Sequence, residues 1–148
     1  MDIKKRINGE RIDLIFEEFV PANPNKKFVD CVTYNVVLHS TNKKIGHCSA
    51  KLGFNDTIFY IGNIGYNIDE NFRGNGYAGE AVTLLLEVFK KNGFKKIYIT
   101  NIPENNASRR VCEKLGAKFL GSFEIPVDNI RRKEFGEKLM NIFEIDLH

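Results

Sequence analysis

The sequence predicts an α+β fold (a mixed α/β arrangement): a mostly antiparallel sheet with one parallel strand pair and at least two helices. Three observations support this prediction. Up to residue 68, β-branched and aromatic segments follow one another across short turns, as in an antiparallel meander. From residue 76 to 92, apolar residues recur at helical spacing. The strand–helix–strand unit over residues 58–100 has the length of a right-handed crossover, which makes its two strands parallel.

Four strands are predicted in the first half of the chain, and turns rich in Pro, Asn and Asp separate them. The first strand alternates, with Ile12 and Leu14 on one face and Asp13 on the other. Pro21 and Pro24 end it because proline lacks the amide donor that a strand ladder needs. In order, the predicted strands are Arg11–Val20, Cys31–His39, Ile45–Leu52 and Ile58–Ile68.

The second half alternates helices with strands. The helix over residues 76–92 precedes Gly93, a glycine of the kind that follows a helix C-terminus. A shorter helix begins with Asn105 or Asn106 as its N-cap and stops at Gly116. The remaining segments are the strands Lys96–Thr100, Lys118–Ile125 and Leu139–Leu147 and an irregular polar stretch, Asp128–Lys138.

Composition restricts the class of protein. A chain of 148 residues with 43% hydrophobic residues fits a single domain over residues 1–148. Its 22 Lys and Arg nearly balance 19 Asp and Glu, so no nucleic-acid partner is predicted. The charged N-terminus has no apolar h-region, so no signal peptide is predicted, and the longest aliphatic run, Val82 to Val88, cannot span a bilayer. Three cysteines without C-x-x-C spacing fit a reducing, cytoplasmic location.

The segment Arg73–Ala78 joins the fourth predicted strand to the long helix. The first amides of a helix have no internal partner and lie at the positive end of its dipole. Gly74 and Gly76 have no Cβ, so an anion can approach the backbone, and Arg73 adds a planar positive charge suited to phosphate. The pattern indicates a pyrophosphate site. An ordinary strand-to-helix turn explains the six residues about equally well.

Two nucleotide-binding patterns compete for this segment. A Walker A loop needs Gly-Lys-Ser/Thr, whereas Gly76 is followed by Tyr77 and Ala78. The dinucleotide fingerprint G-x-G-x-x-G matches at Gly74, Gly76 and Gly79. It also requires a later strand followed by an acidic residue, and the next strand ends in Thr100-Asn101 instead. A nucleotide-binding module is therefore the weaker interpretation.

The segment has the form Arg-x-x-Gly-x-Ala, which resembles the acetyl-CoA loop of the GNAT superfamily of N-acetyltransferases. With Gly65-Tyr66-Asn67-Ile68 before it, it looks most like the branch of the ribosomal-protein alanine acetyltransferases. A second segment, Asn105–Ala117, is similar to that branch's Asn-x-x-Ser…Glu-Lys-Leu-Gly-Phe, with Ala117 in place of Phe. The resemblance covers about residues 64–117.

The resemblance implies a GNAT-like sheet in which the parallel pair separates at the cofactor site. It also implies acetyl transfer from acetyl-CoA to a primary amine, a protein N-terminus or a small molecule, by direct attack and without a metal. Backbone groups at Ile68 and the side chains of Asn105 and Ser108 would contact pantetheine, although helix capping explains the last two equally well. The residues implied for the pyrophosphate are Arg73, Gly74, Asn75, Gly76, Tyr77 and Ala78.

Two departures from the family leave alternatives open. Many members have a tyrosine acid seven residues after the helix asparagine, and this chain has Cys112 there. Cys112 is a candidate acid, or simply a small apolar residue, and no general base is identified. The family's two helices between the first two strands are missing. Either the acceptor site is more open, or a partner subunit in a homodimer completes it. A non-catalytic acyl-CoA sensor on the same fold is the alternative function.

Overall fold

The computed structural model describes residues 1–147, which contain eight strands and four α-helices. One antiparallel sheet has five strands in chain order: β1 (Arg6–Asn8), β2 (Ile12–Val20), β3 (Asp30–Leu38), β4 (Lys44–Leu52) and β5 (Ile64–Ile68). A second antiparallel sheet has β8 (Leu139–Asp146) between β6 (Lys96–Asn101) and β7 (Lys118–Glu124). The helices are α1 (Asp56–Ile61), α2 (Tyr77–Lys91), α3 (Asn106–Lys114) and α4 (Ile130–Phe135). The predicted mixed α/β, mostly antiparallel fold is confirmed.

Helix α2 covers one face of the five-stranded sheet. Its apolar stripe, which includes Val82, Leu85 and Phe89, is buried against β2, β4 and β5. The same core continues onto the second sheet through Ile97 and Ile99 of β6. With 15 residues, α2 is the longest helix, and within residues 1–147 no helix is long and apolar enough to cross a membrane.

The fourth predicted strand, Ile58–Ile68, is wrong in its first half. Residues 56–61 form α1, and only Ile64–Ile68 form β5. The Asn55 side chain caps α1 by accepting a hydrogen bond from the Ile58 amide (2.8 Å). Gly62, at φ +80°, ends the helix. The β-branched and aromatic residues of this segment favoured a strand, but the asparagine cap and the glycine outweigh that preference.

The predicted parallel pair does not form a ladder: β5 and β6 belong to different sheets. They meet at Asn63, whose amide donates to the Tyr98 carbonyl (2.8 Å). The Tyr98 amide donates to the Asn63 side-chain oxygen (2.8 Å) instead of to backbone. Beyond Asn63 the two strands share no ladder, and each continues in its own sheet.

Two smaller elements lie outside the predictions. Strand β1 pairs with β2 at the edge of the sheet. The stretch predicted as irregular, Asp128–Lys138, contains α4, which the Asn129 side chain caps and which ends at Gly136, at φ +67°. The connection between β2 and β3 contains a single 3-10 turn, Pro24–Lys26, where family members were expected to have two helices.

Candidate functional site

The segment between β5 and α2 turns on two glycines in the left-handed region. A 3-10 turn over Glu70–Phe72 leads into Gly74 (φ +84°) and Gly76 (φ +80°), a backbone conformation that side chains with a Cβ rarely adopt. A Cβ placed on Gly74 would have no atom within 4 Å, so the backbone there is open to solvent. The two glycines thus provide both the turn and the open approach that the sequence predicted.

Helix α2 begins at this turn with Gly76 as its N-cap, and no side chain caps it. The first amides of a helix have no partner inside it, so those that follow Gly76 remain available. Together with the helix dipole they form a site that favours an anion. The geometry therefore suits a phosphate group at the start of α2.

Arg11, which sequence reasoning missed, fixes this turn from the side of β2. Its Nη1 donates to the Asn75 carbonyl (2.7 Å), and its Nε donates to Glu80 Oε1 (2.8 Å). Its guanidinium also lies 5.0 Å from the centre of the Tyr77 ring. Arg11 and Glu80 are 69 residues apart in sequence, so no local motif links them. Arg11 therefore positions Asn75 and Tyr77 of the predicted pyrophosphate segment and Glu80 of the helix that follows it.

Glu80, in the first turn of α2, directs its carboxylate to the start of β2. Its Oε2 accepts from the Arg11 amide (2.9 Å) and the Ile12 amide (3.2 Å). Burial tends to raise the pKa of Glu80, but the hydrogen bonds from Arg11 and Ile12 outweigh it, so this pKa lies below its ordinary value. The ionised carboxylate connects the first turn of α2 to the start of β2.

Arg73 folds back onto the end of β5. Its Nε donates to the Ile68 carbonyl (2.7 Å), and its Nη2 donates to Asn67 Oδ1 (3.2 Å). The guanidinium thus connects the two regions predicted for pantetheine and for pyrophosphate. In this arrangement the Ile68 carbonyl has a partner within the protein.

The predicted pantetheine residues of α3 are joined to β5. The Asn105 side chain caps α3 by accepting from the Ser108 amide (3.1 Å). The Tyr66 hydroxyl donates to Ser108 Oγ (3.0 Å), and Ser108 is buried. Burial raises the pKa of Tyr66, although the Ser108 hydrogen bond acts in the opposite direction. These bonds hold α3 over the place where β5 and β6 separate.

Cys112 lies one turn further along α3 and is fully buried. Burial raises the pKa of its thiol to about 12. Its sulphur lies 3.7 Å from Asn101 Nδ2, and the buried Asn101 Oδ1 has no hydrogen-bond partner within residues 1–147. The burial favours the apolar role for Cys112 over proton donation.

A cleft of about 820 Å³ opens beside the second sheet, away from α2. It lies between α1, β6 and the segment Pro126–Asn129. Phe59, Tyr60 and Tyr98 supply its aromatic wall, and Lys27 and Asp128 form an ion pair (3.5 Å) at its rim. Within the described residues, no group of His, Cys, Asp and Glu side chains is arranged to hold a metal.

Residues 9–118 match the family model described as the acetyltransferase (GNAT) domain. The match includes the glycine turn, the start of α2 and the capped helix α3. The chain belongs to the GNAT acetyltransferases, a family that uses acetyl-CoA.

Individual relatives agree with this assignment. The uncharacterized N-acetyltransferase YnaD of Bacillus subtilis is 33% identical over 117 residues, which cover 76% of this chain and 67% of that protein. A GNAT-family acetyltransferase structure from Bacillus anthracis is 26% identical, with a TM-score of 0.62, and covers 78% of this chain and 66% of its own. The chain thus spans about two thirds of the length of both relatives.

More distant structures share the fold alone. The microcin C7 self-immunity acetyltransferase, in complex with acetyl-CoA and AMP, is 21% identical, with a TM-score of 0.57, and covers 84% of this chain and 63% of its own. The neighbours also include ribosomal-protein alanine and serine acetyltransferases, which are 14–19% identical. The predicted family is confirmed by the family match, and the fold neighbours include ribosomal-protein acetyltransferases.

Proposed function

We propose that this chain, as one domain, transfers the acetyl group of acetyl-CoA to a primary amine by direct attack in a ternary complex. One observation supports the proposal above the others: the uncapped start of α2 follows two left-handed glycines and is fixed by Arg11. This arrangement presents backbone amides to a diphosphate, the group that joins the pantetheine arm of coenzyme A to its adenosine 3′-phosphate.

The diphosphate is assigned to the backbone of Gly74, Asn75, Gly76, Tyr77 and Ala78, with the charge of Arg73 nearby. Pantetheine is assigned to the opening between β5 and β6, beside Ile68, Asn105 and Ser108. The Tyr66–Ser108 hydrogen bond closes the α3 side of this opening, which leaves the opposite side for the amine.

The reaction needs no covalent enzyme intermediate. The neutral amine attacks the thioester carbon, the new C–N bond forms, and the C–S bond breaks as the tetrahedral intermediate collapses. The amine loses a proton to water, and the departing thiolate of coenzyme A gains one. The contribution of the protein is the positioning of the thioester and stabilisation of the oxyanion, which are each worth several kcal/mol.

The cofactor assignment is tested by calorimetry with two acetyl donors. Arg73→Ala is expected to weaken acetyl-CoA binding about tenfold or more, because a charged contact with the diphosphate is worth roughly 1.5–3 kcal/mol. S-acetylpantetheine lacks the diphosphate, so its binding should change far less and reports only the loss of the Arg73 bond to the Ile68 carbonyl. Lys90→Ala is the matched control, since it removes one positive charge at the opposite end of α2.

Activity is tested by measuring CoA release with a panel of amines and N-terminal peptides. Release of CoA with concomitant amide formation supports the transferase. Tight acetyl-CoA binding without release from any amine would instead indicate the acyl-CoA sensor. Equal binding of acetyl-CoA by Arg73→Ala and wild type would contradict the diphosphate assignment.

A further inference from the structure

The face of the five-stranded sheet opposite α2 is polar. Val32 and Tyr34 of β3 and Ala50 of β4 point into the core under α2, so the residues alternating with them point to the other face. The strand register places these alternating residues in neighbouring rows. The rows are Cys31 and Lys51; Thr33, Ser49 and Gly65; and Asn35, His47 and Asn67.

Two polar groups converge over Gly65 on this face. A Cβ at position 65 would lie 3.1 Å from Ser49 Oγ and 3.5 Å from Lys51 Nζ. Because Gly65 has no Cβ, the Ser49 hydroxyl and the Lys51 ammonium have room to lie over β5 at this position. Gly65 is three residues before Ile68, on the strand assigned to the thioester arm. The Lys51 ammonium and the Ser49 hydroxyl thus lie at the face from which the amine is proposed to enter.

The charge of Lys51 is not matched by a carboxylate. Its side chain is half-buried, and none of the ion pairs within residues 1–147 includes it. Burial lowers the pKa of Lys51, and nearby Arg131 lowers it further, while Cys31 acts in the opposite direction. Arg131 is itself neutralised by Glu137, which accepts from its Nε (2.5 Å) and its Nη2 (3.0 Å).

A half-buried cation without a counter-ion is costly for the folded protein, which makes an anionic ligand a natural partner. Asp128 and Asn129 line the open cleft, and the charge of Arg131, which follows them in α4, lowers the pKa of Lys51.

We propose that Lys51, assisted by the Ser49 hydroxyl, binds a carboxylate on the acceptor, so that the substrate is an amine that also carries a carboxylate. The inference rests on the proposed acetyl transfer and names its substrate class. One uncompensated positive charge matches the single charge of a carboxylate better than a phosphate dianion, since Arg131 is already paired. Lys51 determines specificity and takes no part in bond making.

The test compares acceptors that differ only in the carboxylate: amino acids against their carboxamides, and short peptides as free acids against C-terminal amides. Wild type is expected to show a kcat/KM for CoA release at least about tenfold higher with the acid of a pair. Lys51→Met should reduce this acid-to-amide ratio of kcat/KM to about threefold or less. KM should rise for the acid, and kcat/KM for the amide should stay unchanged. Lys51→Arg keeps the charge and should retain part of the preference.

Lys44→Met is the matched control, because Lys44 is an exposed lysine on the same strand. It should leave the acid-to-amide ratio unchanged. Equal rates with both members of every pair, or an unchanged ratio in Lys51→Met, would overturn the inference and leave the transferase intact. Faster turnover of O-phosphoethanolamine than of β-alanine would overturn the carboxylate assignment. An absence of CoA release from every amine would overturn the proposed function, and the inference with it.

Discussion

Asn63 joins the two sheets, and its removal should be among the most damaging single changes in the chain. Its side chain is completely buried. Its Nδ2 donates to the carbonyls of Lys51 (2.9 Å) and Gly53 (3.0 Å), and its Oδ1 accepts from the Tyr98 amide (2.8 Å). The substitution Asn63→Ala removes all three hydrogen bonds and leaves three backbone groups without their partner.

The magnitude follows from those three bonds. A hydrogen bond contributes roughly 1 kcal/mol net, and a buried group left unpaired costs about 1–3 kcal/mol. Allowing for partial rescue by water, we expect Asn63→Ala to lower the free energy of unfolding by about 3–4 kcal/mol. This is a large fraction of the roughly 5–15 kcal/mol that stabilises a typical domain.

Urea unfolding followed by circular dichroism measures the effect. Asn67→Ala is the control, because Asn67 is an exposed asparagine four residues further on, in β5, whose side chain accepts one bond, from Arg73. We expect the control to stay within about 1 kcal/mol of wild type. If Asn63→Ala were equally mild, Asn63 would not join the sheets as described.

Two further predictions concern the start of α2. Glu80→Gln should lower the free energy of unfolding by about 1 kcal/mol at pH 7. Because the folded-state pKa is lowered, this contribution is complete above the ordinary value of 4.5 and is lost as pH falls through the folded-state value. A difference from wild type that persisted undiminished at pH 3 would contradict it. Gly76→Ala should destabilise by about 1–2 kcal/mol, because φ is +80° there. Gly79→Ala, at an open helical position, should raise the free energy of unfolding by up to about 1 kcal/mol. Equal urea midpoints for Gly76→Ala and Gly79→Ala would refute this difference between the two glycines.

Local signals in the sequence were sufficient to predict most of the fold. The apolar stripe of α2 and the asparagine cap of α3 depend on residues only a few positions apart, and both elements were predicted within about two residues. The failure at residues 58–61 has a local cause as well. Side-chain type favoured a strand there, whereas the Asn55 cap and Gly62 decided for α1.

The remaining features depend on contacts between distant segments. The junction between the two sheets depends on Asn63, whose side chain binds Lys51 and Gly53 in and just after β4 and Tyr98 in β6. Arg11 fixes the glycine turn through its ion pair with Glu80, which lies 69 residues away in the sequence. No periodicity or motif in a single sequence reports such pairs, so these long-range contacts could not be predicted.

The most direct measurement is a crystal structure of the protein with coenzyme A. We predict that the diphosphate accepts hydrogen bonds from backbone amides between Gly74 and Ala78, and that the pantetheine arm runs between β5 and β6. A diphosphate bound in the cleft beside α1, or no contact with the first turn of α2, would contradict it.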